Sequence, residues 1–79
     1  HHAAEIDAAK FFWAEAERLL KESQYTALWL RYQQQLSVKE IAISLNESAS
    51  NIKVLLFRAR KTLSQSSVLK ELQQSSPIH

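Results

Sequence analysis

The segment LSVKEIAISLNESASNIKVLLFRARKTL, residues 36–63, contains two short amphipathic stretches separated by the polar triplet Asn46-Glu47-Ser48. Two helices joined by a short polar turn form a helix-turn-helix. The fold predicted for the whole chain is built around this pair of helices. Residues 36–63 carry five basic and two acidic side chains, whereas residues 1–35 carry four basic and five acidic ones. The positive charge of the chain is therefore concentrated around this pair of helices.

Local signals place one helix on each side of the polar triplet. Ser37 is followed three residues later by Glu40, which is a capping box and predicts a helix that begins at Ser37 and ends just before Asn46. Asn46 tolerates the left-handed backbone that closes such a helix, and Ser48 or Ser50 is expected to cap the next one. The break between the helices is therefore three or four residues long.

The second helix of this pair has two distinct faces when its residues are placed about 100° apart around the axis. One narrow stripe is apolar and is predicted to enter the core. The opposite side combines basic with apolar side chains. The core stripe consists of Ile52, Leu56, Ala59 and Leu63 with Leu55 at its border; the other side presents Ser50, Val54, Phe57 and Lys61, flanked by Lys53 and Arg58, with Arg60 nearer the core.

The remainder of the chain is also predicted to be helical. Apolar residues recur at three- and four-residue spacing from Ala3 to about Lys21, which predicts a first helix, and Ser23 is expected to cap a second one that runs to the glutamines at 33–35. Glycine is absent, so turns that need a positive φ fall to Asn46 and hairpin-rich sheets are disfavoured. The predicted fold is all-α: a small four-helix domain containing a helix-turn-helix.

Composition excludes several functional classes. Cysteine is absent and the three histidines lie at the two ends of the chain, so neither disulfides nor a metal site is expected. No apolar run approaches the roughly 20 residues that span a bilayer, which predicts a cytoplasmic protein. No serine has a histidine or acid placed to activate it, and the chain is not expected to be an enzyme.

Residues outside the helix pair are given structural roles. The aromatic residues Phe11, Phe12, Trp13 and Trp29 are expected to pack in the core and between helices. Glu15 and Glu17 are interpreted as solvated helix charges, because side chains two residues apart on a helix point in different directions. The chain is divided into an N-terminal extension with the start of the first helix (1–12), a helix-turn-helix domain (13–64) and a polar, partly helical tail (65–79), in which Val68, Leu69 and Leu72 are expected to prolong the fourth helix and residues 75–77 to fray.

Motifs on both sides of the polar triplet carry a family resemblance. They are LxxxQxxxLxLRY from Leu20 to Tyr32, LSxxEIAxxL from Leu36 to Leu45, SxxxIK from Ser48 to Lys53, and RARKxL from Arg58 to Leu63. Together they cover about residues 13–64, and this stretch resembles region 4 of bacterial sigma factors. It looks most like the extracytoplasmic-function group.

This resemblance implies the −35 promoter-recognition domain of an alternative sigma factor, which directs RNA polymerase to promoters and docks on the flap of the polymerase core. Further implied partners are anti-sigma proteins, and no cofactor is implied. Family members also carry a region 2 that has no counterpart here, so the chain is expected to be an excised C-terminal domain. The matching positions imply that Ser48, Ser50, Asn51, Lys53, Val54, Phe57 and Arg58 face DNA, and that Arg31, Lys39 and Lys61 lie near the phosphate backbone.

The chain departs from the family pattern at a few positions. Gln35 and Asn46 replace the usual glycines, and Asn51 replaces a common threonine but retains the ability to hydrogen-bond phosphate or adenine. Val54 and Leu55 stand where serine and arginine are frequent, which removes a polar group and a phosphate contact. Low affinity for DNA and an altered sequence preference are therefore expected.

Alternative functions remain open. In one, the helix-turn-helix is a protein-interaction module that uses Val54, Leu55 and Phe57 as an apolar anchor on a regulator or on a second copy of itself; Phe57 otherwise contacts a thymine methyl group. In another, it is the DNA-binding domain of a response regulator, which shares the EIA motif. Arg60 has an intramolecular alternative as well, an ion pair with Glu40.

Overall fold

The computed structural model describes residues 2–74, with side chains described for residues 8–70, and all regular structure in that range is α-helical. The predicted all-α fold is confirmed. None of the described helices is both long and apolar enough to cross a membrane. The helices are α1 (His2–Leu19), α2 (Glu22–Tyr32), α3 (Val38–Leu45), α4 (Ala49–Ser64) and α5 (Ser67–Gln74).

The core lies between α2, α3 and α4. The contact between α2 and α4 is the most extensive in the domain, and α3 packs on both. Ile41 and Ile52 are fully buried, so they join α3 to α4 at the centre of this core. The apolar stripe predicted for the fourth helix is confirmed, and Leu55 is half-buried at its border. The buried apolar residues are Ala16, Leu20, Ala27, Leu28, Ile41, Ala42, Ile52, Leu56, Ala59 and Leu63.

Serine side chains cap α3 and α4. The Ser37 hydroxyl accepts a hydrogen bond from the Glu40 amide at 3.1 Å, and a Glu40 carboxylate oxygen accepts one from the Ser37 amide at 2.8 Å, so the predicted capping box is confirmed. Of the two candidates for α4, Ser48 is the cap, because its hydroxyl accepts from the Asn51 amide at 3.1 Å. A serine cap stabilises a helix by about 1 kcal/mol.

The predicted start of the second helix is wrong. α2 begins at Glu22, and Lys21 occupies the cap position instead of Ser23. The backbone amide of Lys21 donates to the side-chain carbonyl of Gln24 at 3.4 Å. The Gln24 side chain therefore satisfies the amide of the cap residue, and no hydroxyl caps the first amides of α2 as sequence analysis expected.

Within residues 2–74, two residues adopt the left-handed backbone conformation. Asn46, as predicted, has φ 56° and lets the Glu47 amide return to the Ala42 carbonyl at 2.9 Å. Gln35 has φ 59°, so the expectation that positive φ falls to Asn46 alone is wrong. The left-handed conformation costs an ordinary L-residue about 1–2 kcal/mol, whereas asparagine tolerates it better.

We therefore expect Gln35→Gly to stabilise the domain. Relief of the left-handed backbone exceeds the entropic cost of glycine, and the predicted gain in unfolding free energy is about 0.5–1 kcal/mol. Thermal unfolding followed by far-UV circular dichroism measures it, with about 4–8 °C expected for each kcal/mol. Asn46→Gly is the matched control and gains less, so an equal or larger gain at Asn46 would contradict this explanation.

A buried carboxylate attaches α5 to α1. Glu15 is only 8% exposed, so its interpretation as a solvated charge is wrong. Arg18 donates to its two oxygens at 2.8 and 3.1 Å, and the Ser66 hydroxyl donates to one of them at 3.3 Å. The hydrogen bond from Arg18 lowers the pKa of Glu15 below its ordinary value, and this outweighs the opposing effect of burial.

Ser66 also explains why α5 is a separate helix. Its hydroxyl accepts from the Leu69 amide at 3.1 Å, which caps α5 after the turn at Gln65. The prediction that Val68 and its neighbours prolong α4 is therefore wrong, and the predicted fraying at 75–77 lies outside the described residues.

Aromatic side chains join α1 to α2. The Trp13 ring packs edge-on against Trp29 with 5.0 Å between centroids, and edge-on against Tyr25 at 5.8 Å. Phe12 lies 5.0 Å from Trp13 in the same geometry. The predicted packing is confirmed between helices for Trp13 and Trp29 and against the core for Phe12, but Phe11 is 47% exposed and does not enter the core.

Candidate nucleic-acid interface

The turn between α3 and α4 fixes the direction of α4. It runs from Asn46 to Ser48, and it is closed by the Asn46 backbone at one end and the Ser48 cap at the other. Because Ile41 and Ile52 are buried beneath the turn, the opposite side of α4 faces away from the protein. The arrangement is a helix-turn-helix, whose second helix enters the DNA major groove in proteins that use it.

The outward side of α4 is a continuous exposed face, which we call the α4 face. It combines three cations with two apolar side chains, Val54 at 41% and Phe57 at 61% exposure. Lysine and arginine neutralise phosphates, while apolar groups contact thymine methyl groups. The α4 face consists of Ser50, Lys53, Val54, Phe57, Arg58 and Lys61, which are all exposed as predicted.

The first turn of α4 has a distinct polar geometry. The amides of Ala49 and Ser50 have no acceptor within the helix, and the helix dipole makes this end positive. Asn51 is half-buried there, and its side-chain nitrogen donates to a carboxylate oxygen of Glu47 at 2.8 Å. Sequence analysis did not single out Glu47, although its position four residues before Asn51 is a recognisable signal for such a contact.

The three residues assigned to the phosphate backbone lie on different elements. Lys39 is exposed in the first turn of α3, and Lys61 is exposed near the end of α4. The Arg31 guanidinium donates to the Leu36 carbonyl at 3.2 Å and lies 5.9 Å from the Tyr32 ring centroid. Arg31 therefore stabilises the turn between α2 and α3. The other N–H groups of its guanidinium remain available on the exposed side of the residue.

A protein family matches the helix-turn-helix together with the helices that pack on it. The family model described as sigma-70, region 4 matches residues 16–63, which is more than half of the chain. The chain belongs to the sigma-70 region 4 family. No curated protein and no solved structure matches it.

Membership of the sigma-70 region 4 family gives the domain a DNA-binding role in transcription initiation, with DNA and RNA polymerase as its partners. It also favours the sigma-factor interpretation over a response regulator. In the described part of this region 4 domain, no three His, Cys, Asp or Glu side chains are grouped so that they would hold a metal ion.

Arg60 does not form the ion pair with Glu40 that sequence analysis considered. Its guanidinium donates to the Tyr32 hydroxyl at 3.0 Å, whereas the Glu40 carboxylate accepts from the Ser37 amide in the capping box. This alternative is wrong, since Glu40 is part of the local cap and Arg60 has a different partner. Arg60 instead links α4 to the end of α2.

An apolar groove lies on another side of the region 4 domain. It has a volume of about 620 Å³, and Arg60 and Tyr32 lie at its polar edge. Sequence analysis did not find this groove, because residues from α1, α2, α4 and α5 form it together. The groove is lined by Phe12, Trp13, Leu28, Tyr32, Arg60, Leu63, Ser64 and Leu69.

Proposed function

We propose that this region 4 domain recognises the −35 element of promoters by placing α4 in the DNA major groove. The parent protein in this proposal is an alternative sigma factor of the extracytoplasmic-function group. The α4 face carries the argument, because one helix presents exposed cations and apolar groups outward while its other side is buried. An α-helix fits the width of the major groove, so this face reaches both phosphates and base edges.

The α4 face and the residues around it have distinct roles in this proposal. Lys53 and Arg58 neutralise phosphates along the groove. Ser48, Ser50 and Asn51 lie at the start of the helix, where recognition helices approach base edges. The apolar pair Val54 and Phe57 contacts thymine methyl groups at the centre of the face, where bases replace water around them. Arg31, Lys39 and Lys61 contact the phosphate backbone on either side.

The affinity for duplex DNA as a function of salt concentration tests this proposal. Fluorescence anisotropy with a labelled promoter-length duplex is expected to show affinity that falls steadily as salt rises, with a slope of about 0.9 for each neutralised phosphate. Affinity that is independent of salt would contradict the proposal.

The apolar groove supports a second contact, with RNA polymerase. We place the flap of the polymerase core in this groove, because its half-buried apolar side chains Phe12, Trp13 and Leu69 leave water when a partner covers them, which lowers the free energy of the complex. Its residues do not belong to the α4 face, so the domain binds polymerase and DNA at the same time.

The exposure of Phe57 and Val54 also favours a second candidate function. In it, the α4 face is covered by a protein, either an anti-sigma factor or a second copy of the chain. Leu55, assigned to the same interface, is half-buried and packs against the core, so it contributes less than the other two. Anti-sigma binding to this face would compete with DNA.

Sedimentation of the domain over a range of concentrations distinguishes self-association from promoter recognition. Promoter recognition through the α4 face predicts a monomer at all concentrations. A mass that rises with concentration, is abolished by Phe57→Asp and is retained in Ile43→Asp would instead support self-association. Ile43 is the matched control because it is an apolar side chain on α3 with 73% exposure.

A further inference from the structure

We propose that Glu47 is a positioning residue that presents Asn51 to the edge of an adenine in the major groove, and that this pair sets a base preference of α4. The inference rests on the proposed function, since it concerns how the same helix discriminates between sequences. It assigns a specific role to an acidic residue at a surface that otherwise binds a polyanion.

The chemistry of the contact fixes the orientation of the Asn51 amide. A carboxylate accepts hydrogen bonds and donates none, so the nitrogen of the amide faces Glu47 and the oxygen points away from it. The 2.8 Å contact uses one of the two N–H groups. The amide oxygen and the second N–H remain for a ligand.

Both partners of this contact are also held by their backbones. The Glu47 amide donates to the Ala42 carbonyl at 2.9 Å, and the Asn51 amide donates to the Ser48 hydroxyl at 3.1 Å. With its backbone held by the cap and its side-chain nitrogen bonded to Glu47, Asn51 has fewer side-chain conformations available before DNA binds. A preorganised side chain loses less conformational entropy on binding, which increases the affinity of a correct contact.

The free groups of Asn51 match adenine. In the major groove adenine offers a donor at N6 and an acceptor at N7, and an asparagine amide pairs with both. Asn51 lies in the first turn of α4. Arg58 follows two helical turns later on the same side of the helix, so the two side chains can face the same DNA groove. A phosphate would use only the N–H group and would not require a fixed position for the amide oxygen.

The charge of Glu47 supports a role in selectivity. Glu47 lies just before the N-terminal end of α4, which approaches DNA in the proposed complex. Its carboxylate repels phosphates and therefore lowers the affinity for every sequence. We therefore expect Glu47→Ala to raise the affinity for random-sequence duplex while it lowers the discrimination between bases. A residue that only stabilised the helix would not move these two quantities in opposite directions.

Selection from a randomised duplex library tests the proposal. The wild-type domain is expected to enrich a motif with a preferred adenine at one position. Asn51→Ala loses that preference, and Glu47→Ala weakens it by about tenfold. Glu47→Gln retains an acceptor for Asn51 and therefore keeps most of the preference, while it gains affinity like Glu47→Ala. Glu17→Ala, which removes a negative charge from α1, is the matched control and leaves the motif unchanged.

The chemical identity of the contact is then tested with modified duplexes. At the preferred position, replacement of adenine by 7-deazaadenine removes the N7 acceptor, and we expect the wild type to bind about tenfold more weakly. Asn51→Ala should bind both duplexes equally. Thermal unfolding by circular dichroism verifies that the variants remain folded at the assay temperature.

The outcomes separate this inference from the proposed function. If the wild type enriches a motif that Asn51→Ala and Glu47→Ala leave unchanged, the inference is wrong and promoter recognition stands. A uniform loss of affinity in Asn51→Ala, without a change in motif, assigns Asn51 to phosphate and also overturns the inference. If the wild type enriches no motif, promoter recognition by this domain is itself wrong and the inference falls with it.

Discussion

Replacing Lys53 and Arg58 together by alanine is expected to weaken binding of the domain to duplex DNA by roughly 10- to 100-fold near physiological salt. The two cations lie on the α4 face and are exposed, so their removal takes away phosphate contacts and leaves the core unchanged. The slope of log affinity against log salt concentration should also decrease by about 2, since each phosphate contact contributes about 1.

A charge-matched variant shows whether position matters. Lys10 and Lys70 are exposed on α1 and α5, so Lys10→Ala with Lys70→Ala removes the same charge from a different part of the surface. This variant is expected to keep nearly all of the wild-type affinity and salt dependence. Equal losses in the two double variants would show that net charge drives binding, and that α4 does not enter a groove.

Leu69→Asp is expected to weaken binding to a bacterial RNA polymerase core at least tenfold and to leave DNA binding intact. Leu69 lines the apolar groove, and a carboxylate placed there loses its water when the flap covers it, which costs free energy. Binding to the core enzyme is measured by competition with the labelled wild-type domain, and binding to duplex DNA by anisotropy.

Ser67→Asp is the control for the groove variant, because it adds the same charge to α5 at an exposed position outside the groove. It should bind polymerase like the wild type. If Leu69→Asp binds the core enzyme normally, the groove is not the docking surface. The alanine double variant of Lys53 and Arg58 is expected to lose DNA binding alone, and Leu69→Asp to lose polymerase binding alone.

The elements that sequence analysis predicted correctly depend on neighbouring residues. The cap at Ser37 and the left-handed Asn46 need only contacts within a few residues, which are visible in the sequence. The two faces of α4 follow from helical periodicity. Five of the seven candidate DNA-facing residues could be placed on that exposed face for the same reason, whereas Ser48 lies in the turn before α4 and Asn51 is half-buried.

The errors have a different physical origin, because they involve partners that are distant in sequence or that compete locally. Glu15 is buried, and its carboxylate accepts a hydrogen bond from Ser66, which is 51 residues away. Arg60 contacts Tyr32 across 28 residues, and Glu40, the alternative partner considered for it, is part of a helix cap. The groove was missed because no single helix contains it.

Amide chemical shifts of the isotopically labelled domain, recorded during titration with a duplex enriched by the wild type, give the sharpest test of promoter recognition through α4. The proposal predicts that the largest shifts lie between Asn46 and Arg58, at the turn and the first half of α4, and that Leu69 and its groove neighbours shift little. Shifts confined to the groove, with α4 unchanged, would contradict the proposal and show that DNA does not bind through the α4 face.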